Sequence, residues 1–270
     1  VLSGLISTCL LVAQRHDTTL QLASLEVLSS LISVGNVKRR LLTSDQINAI
    51  ADTALPVCAR IMATTADDDN DAWTLHPASL LDNAMDDEES DDYLFALDLM
   101  ESFLAHLGAL SVVLPCAESL LHSKSRVGLA LLECALVATP VSVTPHLPVV
   151  VQAATTLASS PEPRTQYQAI RLLGALFETH SQFMASLSPQ HLLEPVALAL
   201  ASSCSQVSTV ASLALVSCCR NNAEAAAAFL PDLLDRLIQG PLSNTGMDPG
   251  SVTVRVRAMG ATACLAQVNA

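Results

Sequence analysis

The sequence predicts an all-α protein built as a solenoid of stacked antiparallel helix pairs. Apolar residues recur at i, i+3, i+4 and i+7 almost throughout the 270 residues, and no two-residue alternation typical of strands is present. Hydrophobic residues make up 51% of the chain but aromatics only 3%, so the apolar content is mostly Leu, Ala and Val, which suit closely packed helices. Prolines recur between the apolar stretches, where a proline ends one helix and fits the first turn of the next.

The apolar periodicity predicts six helix pairs in chain order. Proline marks several of the helix starts, as at Pro145, Pro163 and Pro189. The second pair is split by a long insertion. The predicted pairs are 3–14 with 18–34, 46–63 with 91–109, 111–122 with 124–138, 145–159 with 163–180, 190–202 with 205–220, and 226–239 with 251–268.

The spacing between the pairs identifies the repeat type. The second helices of the last four pairs begin about 39 to 46 residues apart, which is the period of HEAT and armadillo repeats. Two helices in each unit, where armadillo repeats have three, favour HEAT. A single unit cannot bury its apolar face alone, so we expect about six repeats to stack as one right-handed superhelix over residues 1–270. Neither end is polar enough for a cap, so we expect a segment of a longer chain.

Composition excludes several functional classes. No uninterrupted apolar run approaches the roughly 20 residues of a bilayer span, so we expect no membrane insertion despite a mean hydropathy of +0.44. A net charge of −13 and a pI near 4.7 oppose direct nucleic-acid binding. The eight cysteines lie in apolar segments without a CxxC pair, which indicates reduced core residues of a cytosolic or nuclear protein, with a metal site as the minor alternative.

The chain also lacks the patterns of an enzyme. It has no P-loop, no GxGxxG, no GxSxG and no HExxH, and its seven histidines are scattered. Its carboxylates are concentrated in one segment, whereas acid–base catalysis needs fixed groups in a desolvated site. We therefore expect no enzymatic activity and no cofactor.

An acidic insertion at residues 64–90 interrupts the second repeat. Between Arg60 and Lys124 there are 14 Asp and Glu and no Lys or Arg, so the net charge of the whole chain comes from this stretch. The insertion also holds the single Trp of the chain. Its centre contains the acidic runs and the tryptophan: Asp67, Asp68, Asp69, Asp71, Trp73, Asp86, Asp87, Glu88 and Glu89.

The acidic insertion has two interpretations. It is either a solvated loop that keeps an apolar protein soluble, or an anionic arm that attracts basic partners in a salt-dependent way. Trp73 would then pack on a partner or back onto the scaffold. A calcium loop is disfavoured, because no Gly stands at the turn position and the acids are contiguous instead of alternating.

Residues 50–240 resemble the importin-β (karyopherin-β) family of nuclear transport receptors, most closely its importin β-3-like branch. The first shared feature is a HEAT repeat interrupted by an acidic run followed by Trp73. The second is a helix that opens as Pro-Arg-x-x-Tyr-x-Ala at residues 163–169 and continues with Leu173-Gly174. The order of these features also agrees, with a Cys- and Ala-rich pair and the segment 229–237 following.

The resemblance implies a receptor that shuttles between cytoplasm and nucleus. In that family, basic localisation signals bind the acidic inner surface, and RanGTP binding to N-terminal repeats drives release. The segment would be a central piece of such a receptor. By this resemblance, the nine residues of the acidic insertion given above, from Asp67 to Glu89, would be the candidate contacts to cargo or Ran. Its partners would be basic cargo proteins, the Ran GTPase and nucleoporins. The alternative is a structural HEAT scaffold, such as a phosphatase or kinase regulatory subunit or an assembly factor.

Overall fold

The computed structural model describes residues 2–34, 42–66, 73–74, 90–243, 245–246 and 249–268. These residues are helical or lie in short connections, and no strand occurs among them. The chain divides into two compact units. The first unit is Val1–Asp67 with Glu89–Thr144, and the second is Asp68–Glu88 with Pro145–Ala270.

Among the residues that the structure describes, the first unit has three helix pairs and one short helix. Within each pair the two helices pack together, and the second helices α2, α4 and α6 also pack in sequence, so the unit has two helical layers. This arrangement is that of HEAT repeats. The helices are α1 (Leu2–Ala13), α2 (Thr18–Ser33), α3 (Ser44–Thr65), α4 (Asp91–Leu107), α5 (Leu110–Ser123), α6 (Ser125–Ala138) and the short α7 (Pro140–Val143).

The second unit repeats the two-layer pattern. Here α8 packs on α9, α11 on α12 and α14 on α15, while the second helices α9, α12 and α15 pack side by side. The helices are α8 (Leu147–Leu157), α9 (Pro163–Thr179), α10 (Ser181–Ala185), α11 (Pro189–Leu200), α12 (Ser205–Asn221), α13 (Ala223–Ala228), α14 (Leu230–Gln239) and α15 (Pro249–Val268).

Local chemistry explains the helix ends. Thr43 and Gln46 form a capping box at the start of α3, in which the Gln46 backbone N–H donates to Thr43 Oγ1 at 3.3 Å. Helix α4 ends at Gly108, whose φ of 65° lies in the left-handed region that glycine adopts without strain. Pro163 is the first residue of its helix, as predicted, and Pro189 begins the helix that was predicted from residue 190. The helix predicted from Pro145 begins at Leu147 instead, because a 3₁₀ turn occupies Thr144–His146.

The prediction of one continuous helix over residues 226–239 was wrong. The segment 226–239 was expected as a single helix, but the structure has α13 and then α14, with a break at Phe229. Pro231 explains the break, because it has no N–H to donate to residue 227 and its ring clashes with that carbonyl. The short helices α7 and α10 were also not predicted, since each is a single turn or little more and shows no apolar period of its own.

The core is made of small and branched aliphatic side chains that allow close helix approach. At Gly128 in α6, an added Cβ would lie only 2.7 Å from the backbone nitrogen of Leu121 in α5. All eight cysteines are free, and six of them are buried, while Cys116 and Cys264 are half-buried. The six buried cysteines therefore serve as small apolar core residues, and the two half-buried ones lie at the edge of the core.

No single helix among the described residues is both long enough and apolar enough to cross a membrane. One bent pair, Ser125–Ala138 with Pro140–Leu157, reaches the required length and composition only in combination.

Candidate functional site

Of the nine residues predicted to contact a partner, the structure describes Trp73. The other eight, Asp67, Asp68, Asp69, Asp71, Asp86, Asp87, Glu88 and Glu89, lie outside the described residues. Helix α3 ends at Thr65 and α4 begins at Asp91, so regular helices bound the acidic insertion on both sides.

The Trp73 side chain packs back onto the scaffold. It is 1% exposed, and its ring meets the Tyr167 ring edge to face, with centroids 5.6 Å apart and planes at 82°. The Arg164 guanidinium lies over the indole at 5.7 Å from the ring centroid. Gln206 Nε2 donates a hydrogen bond to the Trp73 carbonyl oxygen at 3.2 Å. All four residues belong to the second unit.

The socket for Trp73 is formed by the first turns of α9 and α12. Pro163 starts α9, and Arg164 and Tyr167 are three residues apart, so they lie on one face of that helix. Gln206 occupies the first turn of α12. These side chains are almost fully buried, with exposed fractions of 3% for Arg164, 9% for Tyr167 and 5% for Gln206. The hydrogen bond to the Trp73 carbonyl oxygen offsets part of the cost of burying the Gln206 amide.

The socket gives a structural role to the Pro-Arg-x-x-Tyr opening of α9 and connects it to the start of α12. The Pro-Arg-x-x-Tyr opening of α9 supplies the cation and the ring, and Gln206 near the start of α12 supplies the hydrogen bond. Sequence reasoning missed that both meet Trp73. The hydrogen-bonded residues are 133 positions apart, and no local periodicity connects them.

Acidic side chains also line the second helices of the first unit. Helices α2, α4 and α6 carry six acidic residues and one basic residue, Arg126, whose guanidinium is buried over the Tyr93 ring at 5.7 Å. Asp98 and Glu101 are both exposed and lie three apart on α4, so they share a face. The acidic residues are Glu26, Asp91, Asp92, Asp98, Glu101 and Glu133.

The second helices of the second unit have the opposite charge. Helices α9, α12 and α15 carry five arginines and one carboxylate, Glu178. Among the described residues, the second helices therefore carry mainly acidic residues in the first unit and mainly arginines in the second, where Arg164 is buried against Trp73. The arginines are Arg164, Arg171, Arg220, Arg255 and Arg257.

Titratable groups in the described residues do not assemble into a reactive centre. Burial raises the pKa of the Cys58, Cys218 and Cys219 thiols to about 12, so these thiols stay protonated at neutral pH. Within the same residues, no three His, Cys, Asp or Glu side chains are grouped to hold a metal ion.

Comparison with solved structures identifies the fold. The chain superposes on Kap121p bound to Pho4p with a TM-score of 0.80 over 99% of its residues, at 19% sequence identity. The chain has the HEAT-repeat fold of the karyopherin Kap121p. Kap121p bound to RanGTP also gives 0.80, at 18% identity, and Kap121p bound to Nup53p gives 0.77. The chain spans 26% of the length of these structures. No protein-family model and no curated protein matches the sequence.

Proposed function

We propose that this chain is a segment of an importin-β-type nuclear transport receptor, of the importin β-3-like branch, that binds basic cargo. The observation that carries the proposal is the Kap121p fold over 99% of the chain at a TM-score of 0.80. Kap121p has been solved with Pho4p, with the SUMO protease Ulp1p, with RanGTP and with Nup53p. By this likeness, the partners of the present chain are cargo proteins, Ran and nucleoporins, and it shuttles between cytoplasm and nucleus.

Two acidic surfaces are proposed to attract the cargo. One is the acidic insertion, which follows α3 and carries Trp73, with Asp71 only two residues from the anchored indole. The other is the exposed acidic face of α4, with Asp98 and Glu101. Clustered carboxylates raise the association rate of lysine-rich ligands and help to orient them, and the attraction weakens with salt over a Debye length of about 8 Å at physiological ionic strength.

The test measures binding of a labelled lysine-rich localisation peptide across a salt series. The loop variant changes Asp67, Asp68, Asp69 and Asp71 to Asn. A matched control removes the same number of charges from exposed positions on first helices or their short neighbours: Glu194→Gln, Glu224→Gln, Asp232→Asn and Asp235→Asn. A third variant carries Asp98→Asn with Glu101→Gln.

We expect the loop variant to lose about tenfold in affinity, or ~1.4 kcal/mol, at low salt, because several weak charge contacts are lost together. The control should stay within about twofold of the wild type. Loss in the third variant alone would place the cargo on α4. Equal loss in loop variant and control would indicate only non-specific attraction. Absence of binding by all proteins would overturn the proposal and favour the structural scaffold.

A further inference from the structure

A groove of about 560 Å³ opens between the second helices of the second unit. One side of it is α12, where Val216 and Ser217 lie four and three residues before Arg220 and so face the same way as Arg220. The opposite side of the groove is α15, where Val256 and Gly260 lie four residues apart on one face of the helix. A volume of this size lies within the range of sites that hold a small ligand or a few residues of a peptide.

The groove is cationic although the protein as a whole is acidic. Arg220 and Arg257 both line it, against the single carboxylate of Glu178. Glu178 Oε1 already accepts a hydrogen bond from Ser217 Oγ at 2.7 Å. Arg220 is exposed and forms no hydrogen bond, ion pair or ring contact with the residues that the structure describes. Its guanidinium is therefore available for an incoming anion.

The apolar part of the groove is accessible as well. Val256 is 49% exposed, and Val216 is half-buried on the α12 side. At Gly260 an added Cβ would meet no atom within 4 Å, so the glycine leaves open space on the α15 wall. A ligand with one apolar side chain between acidic ones would match this surface, since a guanidinium binds a carboxylate through two parallel hydrogen bonds.

We propose that this groove binds an acidic peptide segment of a partner protein, with a carboxylate at Arg220 and an apolar side chain against Val216 and Val256. Charge complementarity selects this occupant: Arg220 and Arg257 line the groove against one carboxylate, Glu178, in a chain of net charge −13. The ligand has the opposite charge to the basic cargo proposed above, so the two sites are independent.

Fluorescence anisotropy with two labelled peptides tests the proposal. One is a short peptide of glutamates around a central leucine, and the other has glutamine at each glutamate position. We expect the whole chain to bind the glutamate peptide at least about tenfold more tightly at low salt. Arg220→Gln should lose about fivefold or more of that affinity. Arg60→Gln, which removes an equally exposed charge in the first unit, should bind as the wild type does.

A second pair of variants blocks the groove sterically without removing charge. Gly260→Leu fills the open space on the α15 wall, and Gly4→Leu makes the same change at an exposed helical glycine that also has no atom within 4 Å of its Cβ. We expect Gly260→Leu to lose binding while melting at or above the wild-type temperature, and Gly4→Leu to bind normally. Equal binding of both peptides, or unchanged binding by Arg220→Gln and Gly260→Leu, would overturn the proposal. Neither result would alter the basic-peptide experiment.

Discussion

Replacing Trp73 with alanine tests whether the tryptophan anchors the acidic insertion on the second unit. The indole is 1% exposed and contacts Tyr167 and Arg164. Burial of such a side chain contributes about 2–3 kcal/mol, the edge-to-face pair about 0.5–1.5 kcal/mol, and the cation–π contact about 0.5–2 kcal/mol. These contributions are not additive, and we expect the free energy of unfolding to fall by about 3–5 kcal/mol, as for other buried aromatic residues changed to alanine.

The assay is urea denaturation followed by far-ultraviolet circular dichroism. Trp73→Phe should fall between the wild type and Trp73→Ala, because it keeps a ring against Tyr167. Ile238→Ala is the control, since Ile238 is 59% exposed in the same unit and its truncation should cost less than about 0.5 kcal/mol.

The wild-type protein offers an independent check. Trp73 is the single tryptophan, so the tryptophan fluorescence of the protein reports the surroundings of this side chain alone. We expect iodide to quench this emission weakly in the folded protein and strongly in urea. A Trp73→Ala variant within about 0.5 kcal/mol of the wild type, or strong quenching in the folded protein, would refute the anchoring.

Two further predictions concern the packing of helices and the buried thiols. Gly128→Ala should lower the free energy of unfolding by about 1–3 kcal/mol, because its Cβ would lie 2.7 Å from the Leu121 backbone nitrogen and force α5 and α6 apart. Gly260→Ala, where the added Cβ meets no atom within 4 Å, should raise the free energy of unfolding by about 0.5–1 kcal/mol. Urea titrations of both variants would show this contrast, and equal stabilities would contradict it. Burial raises the pKa of the Cys58, Cys218 and Cys219 thiols from 9.0 to about 12. The contribution of these protonated thiols to stability is therefore complete below pH 9 and is lost as the pH rises toward 12. Denaturation midpoints measured from pH 7 to pH 11 should fall in the wild type and should fall less in a triple variant with Cys58→Ala, Cys218→Ala and Cys219→Ala.

Much of the secondary structure follows from local pattern. The helix predicted at 163–180 is Pro163–Thr179 in the structure, and that predicted at 205–220 is Ser205–Asn221, because amphipathic period and proline position act within a few residues. The break at Phe229 was missed because the apolar period continues across Pro231, and the period alone was followed there. Pairing into HEAT units was predictable because short connections leave adjacent helices few ways to pack.

The candidate site was predictable only in part. The acidic run is visible from residue types alone, since charge does not depend on folding, and its partner-binding role stays a prediction. The two possible roles of Trp73 could not be separated, because its neighbours Tyr167 and Gln206 come from helices far along the chain. The same reason hides the cationic groove, since no single helix carries its pattern.

The sequence by itself determined most of the helices and the position of the acidic insertion, because helix periodicity, proline position and charge depend on residue types within a few positions. The tertiary structure alone decided that Trp73 is buried against Arg164 and Tyr167, and that Arg220 and Arg257 face one groove. Such contacts depend on how the second helices α9, α12 and α15 lie side by side, and that relation is set by packing between repeats.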